Sequence, residues 1–239
     1  MIIIPARIGS TRFPSKVLAD IQGIPMVIRT AQAVRELDTV VIATDSREIV
    51  EMAENHGFRA VLTSDSHRSG TDRIHEAAQK LGLAPDEIIL NVQADEPFIE
   101  HEVVERVFEL TKSRVDGESI LAASAYKRIS NPEADDPNLV KVVTDREEIA
   151  LYFSRAKIPY PRDHHFNDYK GHLGLYGYTM ASLHRYCALA PSALEEVEKL
   201  EQLRILAHGY RIAMVEVKTE SFGIDTPEDL QRAIRKHLL

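Results

Sequence analysis

Cysteine is almost absent from this chain of 239 residues, which contains a single one, Cys187. One thiol cannot form an internal disulfide, so we expect the protein to work in a reducing compartment. The sequence also has no CxxC motif and no cluster of histidines and cysteines. It therefore offers no structural zinc site.

Long hydrophobic runs are missing as well. The chain opens with an apolar stretch at residues 1–4, but Pro5, Ala6 and Arg7 follow at once. A secretory signal needs about 7–15 consecutive apolar residues, and a membrane helix needs about 20. We therefore expect a cytoplasmic protein with no membrane partner.

Positive charge is in deficit, with 29 Lys and Arg against 37 Asp and Glu and a net charge of -8. A nucleic-acid-binding protein needs a basic face that neutralises phosphates, so this class is disfavoured. A few clustered arginines can still reverse the local field, so a small anionic substrate remains compatible with the composition. The hydrophobic fraction of 44% and the charged fraction of 28% are typical of a globular protein.

Short apolar runs alternate with amphipathic stretches in the first half of the chain. Strands are predicted at residues 2–4, 39–43, 60–62 and 87–92, and helices at residues 25–37, 71–81 and 102–111, with another that Asp45 or Ser46 caps and that ends at residue 55. Strands and helices that alternate at this spacing favour βαβ crossovers. We therefore predict an α/β fold with a doubly wound, mainly parallel sheet.

The regular alternation stops after about residue 117. Beyond it the patterns predict strands at residues 120–126, 139–143, 149–153, 172–180 and 211–217, a surface loop at 161–171, one long leucine-striped helix at 193–207 and a last helix that Thr226 caps. The leucine stripe favours a core or subunit contact. We divide the chain into an α/β core at 1–117, a smaller α+β insertion at 118–210 and a return to the core at 211–239, all within one structural domain.

The loop at residues 6–16 combines positive side chains with small residues whose backbone N–H groups are accessible. They are Arg7, Gly9, Ser10, Thr11, Arg12 and Lys16. Ligands of open α/β sheets bind at the carboxyl ends of the strands, and a polyphosphate needs this combination of donors. The loop is neither a Walker A loop nor a GxGxxG loop. The alternative is a solvated turn whose cations pair with surface acids.

Carboxylates follow at the same predicted sheet edge. The strand at 87–92 leads directly into Asp95 and Glu96, and Asp225 precedes the helix that begins after Thr226. Carboxylates beside a phosphate site usually hold Mg²⁺. The alternative is local helix capping, because acids favour the first turn of a helix.

Polar residues in the second half suit a ligand with a carboxylate or phosphate group. Arg155, Lys157 and Arg162 lie between predicted strands, and arginine offers bidentate donors to such groups. Surface ion pairs are the alternative. His172 lies in a glycine-rich strand, where a structural role is the alternative, and Glu201 could be a solvated acid of the long helix.

Several motifs occur in the order in which they occur in one enzyme family. They are IIIPARIGSTRFPSKVLADI, VIATD, SGTDR, NVQADEPFI, PNLVKVV, ALYFSRAKIPY, HLGLYGY, LEEVEKLEQLR and GIDTPEDL. With these motifs the chain resembles the 3-deoxy-manno-octulosonate cytidylyltransferases, also called CMP-Kdo synthetases. The motifs cover essentially the whole chain, and together they are highly specific.

The resemblance implies a nucleotidyltransferase that makes CMP-Kdo and pyrophosphate from CTP and 3-deoxy-D-manno-octulosonate (Kdo), with Mg²⁺ as cofactor, for lipopolysaccharide biosynthesis. It implies a homodimer, with the insertion at 118–210 supplying sugar-acid binding and dimerisation. CTP would be bound by Arg7, Ser10, Arg12, Lys16, Ser69, Arg73 and Gln93. The sugar acid would be surrounded by Arg155, Arg162, His172, Tyr176, Glu201 and Gln202. Asp95 and Asp225 would hold Mg²⁺ and, with Arg7, Arg12 and Lys16, form the catalytic set.

Three features depart from the family's usual pattern. Ala94 stands where a glycine usually precedes the acids, Ser15 stands where a glycine often precedes Lys16, and the loop at 163–170 is short. Two other functions stay open: the same chemistry on 8-amino-Kdo or another nonulosonate, and a non-catalytic sugar-nucleotide-binding module. Both Asp95 and Asp225 are present, which favours the enzyme.

Overall fold

The computed structural model describes residues 1–9, 13–67, 69–163 and 166–238. The chain divides into two compact units, Met1–Glu105 with Thr219–Leu239 and Arg106–Lys218. The strand Arg211–Glu216 lies in the second unit, so the chain returns to the first unit only at Thr219.

The elements are numbered in chain order. The strands are β1 (Ile2–Ala6), β2 (Asp20–Ile21), β3 (Ile24–Pro25), β4 (Val40–Thr44), β5 (Arg59–Leu62), β6 (Ile88–Asn91), β7 (Ile120–Ile129), β8 (Lys141–Thr144), β9 (Ala150–Ser154), β10 (Tyr169–Thr179) and β11 (Arg211–Glu216). The α-helices are α1 (Met26–Val34), α2 (Arg47–Asn55), α3 (Gly70–Leu81), α4 (His101–Arg114), α5 (Met180–Cys187), α6 (Ala193–Glu198), α7 (Leu203–Ala207) and α8 (Pro227–His237). Single 3₁₀ turns form at Lys16–Leu18 and Glu133–Asp135. In the described part of the chain, no helix has both the length and the hydropathy of a membrane span.

The first unit contains four parallel strands in the order β6-β1-β4-β5. Ile2 of β1 pairs with Val40 of β4 on one side and with Leu90 of β6 on the other. Ile2, Ile3 and Ile4 are fully buried, as expected for a parallel strand that is covered on both faces. Because the strands are parallel, their carboxyl ends share one edge of the sheet. The predicted doubly wound, mainly parallel sheet is confirmed.

Local capping positions the helices of this unit where the sequence predicts them. Ser46, rather than Asp45, caps α2 by accepting the Ile49 N–H at 3.4 Å. Gly82 ends α3 with φ 71°, a left-handed conformation that glycine adopts without steric cost. Thr226 and Asp229 form a capping box at the start of α8, whose first residue is Pro227.

The second unit contains a mixed sheet built around β7. This strand is parallel to β11 and antiparallel to β10, and β10 continues through β8 to β9 with antiparallel pairs. The pairing of β10 with β7 shifts register between Leu173 and Tyr176, which places a bulge in β10.

Two predicted boundaries in the second unit are wrong. The loop predicted at 161–171 ends early, because β10 begins at Tyr169, whose side chain is fully buried. The strand predicted at 172–180 ends at Thr179, which caps a helix missed by the sequence analysis, α5. Thr179 and Ser182 form its capping box, a signal present in the sequence.

The single long helix predicted at 193–207 is also wrong. Lys199 has φ 54° and ψ 47°, a left-handed conformation that ends α6, and α7 starts separately. The Glu198 carboxylate accepts hydrogen bonds from the Ser154 hydroxyl at 2.6 Å and the Arg155 N–H at 2.9 Å. These contacts with the end of β9 favour the break. The predicted stripe is therefore divided: Val197 is 83% exposed, whereas Leu203 is buried.

Candidate active site

The loop after β1 leads into the short turn that carries Lys16. Arg7 is exposed at the end of β1, and the predicted phosphate ligands Ser10 and Arg12 lie outside the described residues. Ser15 has φ 53° and ψ 31°, a conformation that costs an L-residue about 1–2 kcal/mol. A glycine would adopt it without that cost, so the serine at this position adds local backbone strain.

Lys16 joins two carboxylates that are far away in the sequence. Its Nζ lies 2.6 Å from Asp95 Oδ2 and 2.9 Å from Asp225 Oδ1. The Lys16 side chain is 13% exposed, and the two acids are 25% and 41% exposed. The backbone joins the same segments, because the Ile224 N–H donates to the Asp95 carbonyl at 2.9 Å. The predicted set Lys16, Asp95 and Asp225 is thus brought together in the first unit.

The two carboxylates control the charge of Lys16. Burial is the largest single influence and lowers the pKa of this lysine, but Asp95 and Asp225 together raise it above its ordinary value. Lys16 is therefore protonated at neutral pH. Its ammonium offsets the repulsion between the two carboxylates, which would otherwise oppose their close approach.

The donor set at Lys16 fits a magnesium ion. Asp95 and Asp225 each present an oxygen to one ammonium nitrogen, so the same two oxygens can share one small cation. Mg²⁺ prefers oxygen ligands and is commonly held by one or two carboxylates together with substrate phosphates. In the described ranges, no group of three or more His, Cys, Asp or Glu side chains forms a metal cage. A site at these two acids would need ligands from the substrate or from water.

The segment that follows β6 holds Asp95 in place. Ala94 is buried, and its carbonyl accepts a hydrogen bond from the Thr30 hydroxyl at 3.0 Å. Its φ is outside the left-handed region, so alanine fits this position without backbone strain. Gln93, a predicted nucleotide ligand, donates its side-chain amide to Asn91 Oδ1 at 3.4 Å.

Ser69 and Arg73 have structural partners in the first unit. Ser69 caps α3 by accepting the Asp72 N–H at 3.0 Å. Arg73 is 3% exposed, and its guanidinium donates to the Thr63 hydroxyl at 2.6 Å and to Asp45 Oδ2 at 2.7 Å. The binding of nucleotide by these two residues stays a prediction.

Glu76 on α3 holds the loop that precedes Ser69, a role that the sequence analysis missed. Its carboxylate accepts the Ser64 N–H at 2.9 Å, contacts the His67 ring and lies 2.7 Å from Lys80 Nζ. Burial raises the pKa of Glu76, but the hydrogen bonds from Lys80, Ser64 and His67 outweigh it and lower the value to about 2. The i,i+4 spacing of Glu76 and Lys80 was the available sequence signal.

In the second unit, Arg155 is part of the framework. Its Nε donates to the Glu198 carbonyl at 2.7 Å, and its Nη1 donates to the Pro137 carbonyl at 3.0 Å. A longer contact of 3.5 Å joins Nη2 to the Lys199 carbonyl. A guanidinium has five N–H donors. These contacts within the described ranges leave one donor on each terminal nitrogen, an arrangement that suits a carboxylate.

Arg162 differs from Arg155 in its surroundings. Its side chain is 88% exposed, and its Nε lies 3.9 Å from Asp163 Oδ1. An exposed pair at this distance contributes little to stability, so the fold leaves the Arg162 side chain largely unconstrained.

The other predicted sugar ligands form a cluster around β10. His172 Nε2 lies 3.0 Å from the Ser124 hydroxyl, and the His172 ring is 5.4 Å from that of Tyr176. Burial, followed by the nearby Tyr178 and Glu201, raises the pKa of Tyr176 well above its ordinary value. Gln202, the next residue along the chain, is 7% exposed. The structure thus brings His172, Tyr176 and Glu201 together.

Comparison with known proteins now identifies the family. The family model described as Cytidylyltransferase matches residues 1–212. This chain belongs to the cytidylyltransferase family. The predicted resemblance to 3-deoxy-manno-octulosonate cytidylyltransferases is confirmed by relatives that carry this name.

Three similar proteins indicate how close the relationship is. A 3-deoxy-manno-octulosonate cytidylyltransferase of Nitratiruptor sp. is 58% identical over 235 residues, 97% of this chain and 97% of its own length. The enzyme of the same name from Wolinella succinogenes is 56% identical over 239 residues, 98% of each chain. A solved structure of CMP:2-keto-3-deoxy-manno-octonic acid synthetase complexed with CTP is 38% identical, with a TM-score of 0.89 over 100% of this chain and 98% of that one.

We expect Glu76→Gln to lower the free energy of unfolding at pH 7 by about 1–2 kcal/mol, a value reduced for partial solvent exposure. The pKa of Glu76 is about 2 in the folded protein against an ordinary value of 4.5 for a free glutamate. Its carboxylate therefore stabilises the fold above pH 4.5, and this contribution disappears as the pH falls toward 2. Urea unfolding across this pH range should show that the free energy of unfolding depends less steeply on pH in the variant than in the wild type.

The matched control is Glu51→Gln, which changes an exposed glutamate on α2. It should keep the wild-type stability and the wild-type pH dependence. If Glu76→Gln follows the same curve as this control, Glu76 does not hold the loop as described.

Proposed function

We propose that the protein transfers the cytidylyl group of CTP to Kdo, giving CMP-Kdo and pyrophosphate for lipopolysaccharide biosynthesis in the cytoplasm. The observation that supports this function best is the Lys16 ammonium between Asp95 and Asp225. It combines a phosphate-binding cation with the two carboxylates that a metal-assisted nucleotidyl transfer needs. The names of the relatives and the CTP complex of a similar structure agree with it.

The residues of the first unit would bind and orient the triphosphate. Lys16 and Arg7, together with Arg12, would place positive charge around the phosphate oxygens, where charge grows as pyrophosphate leaves. Asp95 and Asp225 would hold Mg²⁺. When bound, the ion supplies Lewis-acid stabilisation of that charge and a template for the phosphates.

The residues of the second unit would bind the sugar acid. The two remaining N–H groups of Arg155 suit its carboxylate, whereas His172, Tyr176, Glu201 and Gln202 offer partners for hydroxyl groups. The anomeric hydroxyl oxygen of the sugar attacks the α-phosphorus in line. As this bond forms, the bond from the α-phosphorus to the oxygen that bridges to the β-phosphate breaks, pyrophosphate leaves with its electron pair, and the hydroxyl proton passes to water.

We expect pyrophosphate release with CTP and Kdo that requires Mg²⁺ and exceeds the rates with 8-amino-Kdo and N-acetylneuraminate. Direct quantification of pyrophosphate and the sugar nucleotide by ion-exchange chromatography, with and without chelator, measures it. Turnover with another sugar acid but not with Kdo would show that the assignment of Kdo as the substrate is wrong. CTP binding without turnover on any sugar would favour the non-catalytic module.

We expect Asp95→Asn and Asp225→Asn each to reduce kcat by about 10²-fold or more, because each removes a carboxylate that would hold Mg²⁺ beside the phosphate oxygens on which negative charge develops. Both side chains stay nearly isosteric with the originals, and thermal unfolding checks that the fold is kept. Asp86→Asn, in the exposed turn before β6, is the matched control and should leave kcat unchanged. Wild-type turnover in either site variant would remove Asp95 or Asp225 from the mechanism.

We further propose that the protein is a homodimer formed through its second unit. Large apolar side chains are exposed there, most of all Tyr160 at 84% and Val197 at 83%. Contiguous exposed apolar patches mark association sites on proteins, so these side chains are the candidates for a contact with a second copy.

Val197→Glu should therefore shift the mass in light scattering from dimer to monomer, because a charge at the contact opposes its burial. Leu62→Glu, at a less exposed apolar side chain of the first unit (38%), is the control and should remain dimeric. A monomeric wild-type protein, or a dimeric Val197→Glu variant, would contradict this assignment.

A further inference from the structure

A buried serine on β7 lies against the bulge in β10. Ser124 is fully buried, and its hydroxyl oxygen is close to three groups of β10. The Leu175 carbonyl is 2.8 Å away, His172 Nε2 is 3.0 Å away and the Leu173 carbonyl is 3.3 Å away. The register shift between Leu173 and Tyr176 turns both carbonyls toward this one hydroxyl.

The hydrogen-bonding capacity of the Ser124 hydroxyl determines which ring nitrogen of His172 carries the hydrogen. A hydroxyl group has one hydrogen, and a carbonyl oxygen can only accept. The hydrogen of Ser124 therefore goes to a carbonyl, the closer of which is that of Leu175. The remaining contact, at 3.0 Å, is then a hydrogen bond that His172 Nε2–H donates to the Ser124 oxygen.

The surroundings of His172 keep its ring neutral. The Phe153 and His172 rings pack in a T-shaped arrangement with 4.9 Å between their centroids, and the centroid of the Tyr176 ring lies 5.4 Å from that of His172. Burial lowers the pKa of His172 to about 3, so the imidazole carries one hydrogen at physiological pH. With Nε2 as the donor, Nδ1 carries a lone pair. Among the residues that the structure describes, none forms a hydrogen bond with Nδ1, and His172 is partly exposed.

We propose that Ser124 is a positioning residue that holds His172 in the Nε2–H form, so that Nδ1 accepts a hydrogen bond from a hydroxyl group of the sugar acid. His172 then recognises a hydroxyl and not the carboxylate, which cannot donate to Nδ1. The identity of the ligand rests on the proposed function, whereas the form of the ring follows from the contacts of Ser124. A carboxylate would be bound by arginine side chains instead.

The form of the ring can be measured directly by long-range ¹H–¹⁵N correlation in protein labelled with [¹⁵N]histidine. The chain has 10 histidines, and His172→Gln identifies the signals of His172 by their loss. We expect Nδ1 to give the signal of an unprotonated nitrogen and Nε2 that of a protonated one. Addition of Kdo should shift the Nδ1 signal in the direction of an accepted hydrogen bond. A protonated Nδ1, before or after addition of Kdo, would overturn the proposal.

Ser124→Ala tests the role of the serine. We expect the variant to populate both neutral forms of His172 and to raise the KM for Kdo about 10-fold, or about 1.4 kcal/mol, with the KM for CTP unchanged. Ser182→Ala is the matched control, since Ser182 is also buried in the second unit and donates to the Thr179 carbonyl at 3.0 Å. It should lose stability yet keep the wild-type His172 signals and the wild-type KM for Kdo.

The comparison of the two serine variants decides whether Ser124 positions His172 or only supports the fold. If Ser124→Ala and Ser182→Ala have the same His172 signals and the same KM for Kdo, Ser124 has only a structural role and the proposal is overturned. If Ser124→Ala does not fold, the wild-type spectrum and its response to Kdo decide. An Nε2–H ring in a protein that turns over no sugar acid would support the assignment of the ring and count against the proposed function alone.

Discussion

The Lys16 ammonium between Asp95 and Asp225 is the contact on which the first unit depends. It joins segments that follow β1 and β6 with one that precedes α8, and the hydrogen bond from Ile224 to the Asp95 carbonyl joins two of them again. Without a cation, the two carboxylates would repel each other at this separation. Lysine and the acids are therefore interdependent. A ligand that enters here meets a preformed arrangement of opposite charges, in which phosphates or a metal ion would replace contacts that the ammonium and the carboxylates make with each other.

The predicted sugar ligands of the second unit are held differently, by hydrogen bonds that side chains donate to backbone carbonyls. Arg155 donates to the carbonyls that end α6, and Ser124 donates to a carbonyl of the bulge in β10. Arg155 keeps two N–H groups for a ligand, whereas the Ser124 oxygen accepts from His172 Nε2–H and so leaves Nδ1 of His172 as the acceptor. This arrangement suits a polyhydroxylated acid, because buried hydrogen bonds select positions and directions more strictly than an exposed charge does.

Much of the first unit could be predicted, because its signals are local. Apolar runs and helix caps predict the strands and helices of a parallel sheet, and Ser46, Gly82 and Thr226 lie where the capping patterns predict. The prediction of one helix at 193–207 was wrong because the cause of the break is not local in the sequence. A period of apolar residues cannot reveal that the Glu198 carboxylate binds Ser154 and the Arg155 N–H, or that Lys199 adopts a left-handed conformation. The tertiary contacts overcame the helix propensity of that segment.

The sequence by itself determined the residue types of the site, the family and the order of elements, because these depend on motifs and on patterns within short windows. Only the tertiary structure decided which of those residues meet. Lys16 and Asp225 are 209 positions apart, and Ser124 and His172 are 48 apart. Contacts between such distant residues cannot be predicted from the spacing of apolar residues within a short window of sequence. Their contacts follow from strand order, register and one bulge, which bring distant side chains to the same edge or the same face of a sheet.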